Sequence, residues 1–141
     1  MTDMNDNLKQ QPSVLDSVTD NIPALQKAVE LTIQAAKIGF DWPSIAPVFL
    51  KMEEELDELK EAIENGDPQK IMDELGDVLF VCSNLARHLK QDPNTALNHA
   101  NDKFERRFKK VEQLALQNNK NNTDFDLDYL ESLWLKVKKE E

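Results

Sequence analysis

Apolar positions recur at three- and four-residue spacing along most of the chain, and no segment alternates as a strand would. Leu25, Ala28, Val29, Ile33 and Ala36 predict a first helix over 23–37. Ile45, Val48, Met52, Leu56, Leu59 and Ile63 predict a second, opened by Pro43. A third follows from Ile71, Leu75, Val78, Leu79, Cys82, Leu85, Ala86 and Leu89. Leu97, Ala100, Phe104, Phe108, Val111 and Ala115 mark a fourth over 94–117, and Leu130, Leu133, Trp134 and Val137 a short fifth over 126–139.

The breaks between these stripes carry stop and start signals. Gly39-Phe40-Asp41-Trp42-Pro43 ends the first helix. Asn65-Gly66-Asp67-Pro68 turns the chain between the second and third: Gly to stop, Asp as N-cap, Pro at the first helical position. Before the fourth, Gln91-Asp92-Pro93 breaks the chain, with Asp92 as cap. The expected fold is all-α, a four- to five-helix bundle-like domain. Residues 1–20 read as a polar, mobile N-terminal tail, 21–117 as the helical body, 118–125 as a polar linker and 126–141 as a helix packing on the body.

Val78-Leu79-Phe80-Val81-Cys82 is apolar nearly all round. A helix oily on both sides in a small domain needs cover on both, and a second subunit is the simplest cover. A homodimer or higher homo-oligomer joined through the central helices is therefore expected. Cys82, the single cysteine, reads as a small core residue in a reducing compartment.

The turn at Gly66 gives the charged positions their meaning. Glu55 and Glu58 precede it and Glu74 and Asp77 follow it, each pair spaced i,i+3. Both cross-pairs are centred on Gly66, so in a helical hairpin Glu58 lies level with Glu74 and Glu55 with Asp77. Both pairs flank the apolar stripes, whereas Glu53, Glu54, Asp57 and Glu61 point more or less to solvent. Acidic runs on helices are usually solvated faces. Four carboxylates converging beside a core are different, because they repel one another unless cations hold them, and hard oxygen ligands suit Mg²⁺ or Mn²⁺.

Composition narrows the classes. The 141 residues suit one domain, and 31% charged residues with a net charge of −10 argue against a nucleic-acid polymer or an anionic membrane as partner. Gly39, Gly66 and Gly76 are the only glycines, which excludes a glycine-rich phosphate loop. No apolar run approaches a membrane span and the start is too polar for a signal peptide, so a cytoplasmic protein is expected. His88 and His99 lack zinc-pair spacing, and no nucleophilic triad is apparent. Lys103, Arg107 and Lys110 flank the fourth stripe at i, i+4, i+7. Cations of this kind beside a metal-loaded carboxylate group are what a polyphosphate requires, although a snorkelling basic edge is the plainer reading. Asp41-Trp42 and Trp134 can stack on a base, against the commoner core role of tryptophan.

Over nearly all of 22–139 the chain resembles the MazG-type nucleoside triphosphate pyrophosphohydrolases. The resemblance rests on IPALQKA, AAKIGFDW, KMEEELDELKEAI, DELGDVLF, NLARHL, ALNHANDKFERRF and LESLWLKVKKE, with the EExxE (Glu54, Glu55, Glu58) and ExxD (Glu74, Asp77) metal motif. It implies an all-α, dimeric, Mg²⁺-dependent enzyme that cleaves NTPs or dNTPs between the α and β phosphates to NMP and pyrophosphate, a nucleotide-pool house-cleaning activity. It implies metal on Glu55, Glu58, Glu74 and Asp77, phosphate contacts from Lys51, Lys70, Lys103 and Arg107, and Trp134 beside the base. Glu54 or Glu55 would orient water or take its proton. The chain has one such module, closer to the C-terminal type of relatives with two. It departs at VELTIQ, where many relatives are lysine-rich before AAKIGFDW. Two rivals remain: a phosphoribosyl-nucleotide pyrophosphohydrolase, and a non-enzymatic cation-binding helical dimer.

Overall fold

The computed structural model describes residues 12–118 and 125–141. Among them are five α-helices and no strand: α1 (Ala24–Lys37), α2 (Ile45–Asn65), α3 (Pro68–His88), α4 (Pro93–Asn118) and α5 (Leu127–Lys139). None is long and apolar enough to cross a membrane. The chain divides into two compact units, Met1–Asn94 and Thr95–Glu141, the second of which includes the polar stretch 118–125. Of that stretch, 119–124 lie outside the described residues, as do 1–11 of the expected tail.

Helix ends follow the local chemistry closely. Gly39 at φ 93° closes α1, with the Gly39 N–H donating to Ala36 O (3.0 Å) and the Phe40 N–H to Ala35 O (3.1 Å). Gly66 at φ 68° closes α2, and the Asp67 side chain accepts from the Gln69 N–H at 3.0 Å to cap α3. The end of α3 uses the same double bond around Lys90, which takes φ 58° without being glycine. Asp92 accepts from the Asn94 N–H at 2.8 Å at the start of α4. Two starts differ from expectation. Helix α2 begins at Ile45 with Ser44 as N-cap, so Pro43 stands outside it and Pro47 occupies its first turn. Residues 14–17, within the stretch read as tail, form a 3₁₀ turn capped by Ser13 and Asp16 that packs on α1.

In the first unit α3 packs against both α1 and α2. It therefore buries Val81 and Ser83, which lie about 200° apart at 100° per residue. The face α2 buries is Val48, Glu55 and Ala62. Of the stripe expected to point inward, Val48 is buried and Met52 and Leu59 are half-buried, but Leu56 and Ile63 are turned out, 40% and 57% exposed. On α3, Leu75, Leu79 and Cys82 are likewise exposed, so the reading of Cys82 as a core residue is corrected. The apolar arc of each helix is wider than one neighbour covers. The α2–α3 contact took the flank carrying small and acidic residues, and the oilier part was left outward.

The second unit has its own core of Val111, Ala115, Leu133 and Val137, ringed by Leu114, Phe125, Tyr129, Leu130 and Trp134. Here the predicted stripes of α4 and α5 do meet, and the Phe104 ring lies 5.4 Å from that of Trp134.

Candidate functional site

The buried line of α2 delivers Glu55 against α3. Only 5% of Glu55 is exposed; its Oε1 accepts from Lys51 Nζ at 3.0 Å, and its Oε2 has no partner among the described residues. One turn on, Glu58 faces Glu74 of α3, and each of Glu55, Glu58 and Glu74 brings an oxygen within 4.8 Å of the others. Glu74 Oε2 is also buried without a partner. Asp77 joins Glu74 and Asp73 in an overlapping, more exposed group.

Repulsion in this cluster has a visible consequence. The Glu58 carboxyl is pushed up to about 7, first by the charge of Glu55, then by burial and by Glu74. Burial, then Glu55 and Asp73, push the Asp77 carboxyl upward, while Lys51 opposes this. Lys51 also lies 3.5 Å from the exposed Glu54. A single ammonium thus serves a crowd of acidic oxygens, and with all the acids ionised two of them are buried with no partner among the described residues. Leaving such oxygens without donors is costly, and a hard divalent cation is the ligand that fits this donor set.

Of the residues singled out in the sequence, the fold gathers Lys51, Glu55, Glu58, Glu74 and Asp77 in the first unit, with Glu54 at the edge. Lys70 is exposed on α3 and lines an open groove of about 510 Å³ with Asp73 and Asp77. The other three belong to the second unit. Arg107 Nε donates to Glu141 Oε2 at 2.8 Å, and Arg106 reaches the same carboxylate at 3.4 Å. Lys103 is half-buried, and Trp134 sits at the edge of that unit's core.

Two features escaped the sequence reading. Asp73 extends the acidic group, and its i,i+4 relation to Asp77 was the available signal. The larger omission is a cavity of about 590 Å³ in the first unit, walled by Leu31, Ala35, Trp42 and Phe80 and reached by Lys51 and Asn84. No periodicity points to it, because it forms where three helices and the Gly39–Trp42 corner meet.

Residues 46–112 match the family model of the MazG nucleotide pyrophosphohydrolase domain. The chain is 40% identical over 135 residues to the nucleoside triphosphate pyrophosphohydrolase of Escherichia coli (strain K12), covering 94% of this chain and 51% of that protein. It is 38% identical over 130 residues to the nucleoside triphosphate pyrophosphohydrolase/pyrophosphatase MazG of Thermotoga maritima, covering 92% of this chain and 50% of that protein. The chain thus spans about half the length of these curated relatives.

Proposed function

We propose that this chain, which carries a domain of the MazG nucleotide pyrophosphohydrolase family, hydrolyses nucleoside triphosphates between the α and β phosphates, releasing NMP and pyrophosphate. The observation that carries the reading is the pair of buried, unpartnered oxygens, Glu55 Oε2 and Glu74 Oε2, within one carboxylate group. Glu55, Glu58, Glu74 and Asp77 would hold Mg²⁺, with Mn²⁺ as a substitute. When bound, the metal supplies positive charge that polarises phosphoryl oxygens and acidifies water.

The chain's own groups have distinct parts in this reading. Glu55 is held by Lys51 so that one oxygen stays free for the cation. Glu54, exposed beside Lys51, would take the proton of the attacking water, with Glu55 the alternative base. Water then forms the new P–O bond at the α phosphorus as the bond to the bridging oxygen breaks. Lys51 and Lys70 would offer cationic donors to the phosphates. On the family resemblance, Lys103 and Arg107 would neutralise the departing pyrophosphate. In that case Arg107 exchanges Glu141 for substrate.

Leu56, Ile63, Leu75 and Leu79, apolar and exposed on this chain, are the surface we assign to a second copy. A cytoplasmic, nucleotide-pool house-cleaning role accords with this chemistry. Incubating the protein with each NTP and dNTP plus Mg²⁺ and identifying products tests the reading. NMP with pyrophosphate supports it, and NDP with phosphate refutes it. Turnover confined to a phosphoribosyl nucleotide would favour the related biosynthetic hydrolase.

A further inference from the structure

The cavity beside Lys51 contains a polar group whose orientation is determined. Asn84 is 5% exposed, and its Oδ1 accepts from Arg87 Nε at 3.0 Å. An arginine Nε–H only donates, so the amide atom facing it must be the oxygen and the Nδ2 amino group must be the other. Arg87 is itself held, its Nη1 and Nη2 donating to Asp41 Oδ2 at 3.1 Å and Oδ1 at 2.6 Å. His88 Nε2 lies 3.1 Å from the same Asp41 oxygen. Asp41 precedes Trp42, so this clamp fixes both the amide and the cavity's aromatic wall. Among the described residues no hydrogen bond from Asn84 Nδ2 is found beside the Oδ1 contact with Arg87, and Asn84 lines the cavity.

We propose that Asn84 is the base-reading residue of the triphosphate site, and that Arg87 positions it to donate to a nucleobase carbonyl. This rests on the triphosphate reading above and names its substrate class. Three observations point to a nucleobase as occupant. The cavity is within the size range of small-ligand pockets and mostly apolar. Trp42 and Phe80 supply flat aromatic walls, suited to a planar heterocycle. Lys51 lines the cavity and pairs with Glu55, so base and phosphate sites adjoin through one side chain. A fixed donor rewards a keto edge and is opposed by an amino group there, since two donors then face each other. Six-keto purines and four-keto pyrimidines are thus favoured over their amino counterparts.

The test compares keto–amino pairs, ITP with ATP and UTP with CTP, which differ at that substituent and at the ring nitrogen beside it, in kcat/KM, together with calorimetric binding of IMP and AMP to the full chain. We expect the keto member to be favoured roughly 10- to 100-fold. Asn84→Asp replaces the donor with an acceptor and should reverse both preferences. Arg87→Ala releases the amide to turn and should bring both ratios towards one, a change that a merely structural arginine would not produce. It also serves if Asn84→Asp fails to fold by circular dichroism. Wild-type ratios near one, or ratios unmoved in the folded variants, overturn the assignment while leaving the hydrolase reading intact. Absence of any turnover sinks the hydrolase reading, and equal affinity for IMP and AMP then sinks this one separately.

Discussion

Lys51 and Glu55, one turn apart on α2, are joined at 3.0 Å by an ion pair that engages only one carboxylate oxygen. The other oxygen is buried and unpartnered, and so is one oxygen of Glu74 across the hairpin. In the proposed function, a cation would complete this arrangement.

Metal should stabilise the protein. Mg²⁺ or Mn²⁺ at about 100 times its Kd adds roughly 2.7 kcal/mol when only the folded state binds. A raised Tm in millimolar Mg²⁺ relative to EDTA is expected, with Glu74→Gln weakening the increment. Superimposable melting curves would count against a convergent site.

Position on α2 should decide which acids matter. Glu55→Gln and Glu58→Gln are expected to abolish hydrolysis, since each removes an oxygen of the three-residue group. Glu53→Gln and Glu61→Gln, both on exposed positions, should retain activity within a few-fold. Steady-state rates that fall equally for all four would refute this division.

The Glu58 carboxyl also predicts a pH trend for metal-free protein. Its value of about 7 lies above the ordinary 4.5, so the folded state holds a proton that the unfolded state has lost. That contribution is fully present below about pH 4.5 and disappears as pH rises through 7. Urea melts in EDTA should show this component of stability declining over that window, and Glu58→Gln should remove it. A decline of equal size in the variant would reject the cause.

Arg107 and Arg106 share Glu141 as partner yet should differ in catalysis. If Arg107 meets phosphate, Arg107→Ala costs about 2–4 kcal/mol of transition-state stabilisation, roughly 30- to 1000-fold in kcat/KM. The more exposed Arg106→Ala should stay within a few-fold, and Glu141→Gln should not reproduce the Arg107 loss. Equal rates for the two alanine variants would assign both arginines to the α5 end alone.

Two of the left-handed helix ends give a stability test independent of function. Gly66 has open space where a Cβ would stand, so Gly66→Ala is penalised only by its φ of 68°, about 1–2 kcal/mol. Lys90 already bears that strain at φ 58°, and Lys90→Gly should be neutral or stabilising by up to about 1 kcal/mol. Chemical denaturation showing the opposite signs would contradict both.

What could be read in the sequence was local. Helix content, the Gly66 stop, the Asp67 cap and the level pairing of Glu58 with Glu74 follow from 3.6-residue periodicity and cap chemistry within some twenty residues of chain. Tertiary structure decided which part of each wide apolar arc faces a neighbour, a choice periodicity leaves open because Val48 and Leu56 are both apolar. That choice buried Glu55 and turned Leu56, Ile63 and Cys82 outward. It also made the cavity and its Asn84–Arg87–Asp41 clamp, since Asp41 and Arg87 meet only when the corner after α1 folds onto the end of α3. Spacing along one helix carries no information about a contact 46 residues away.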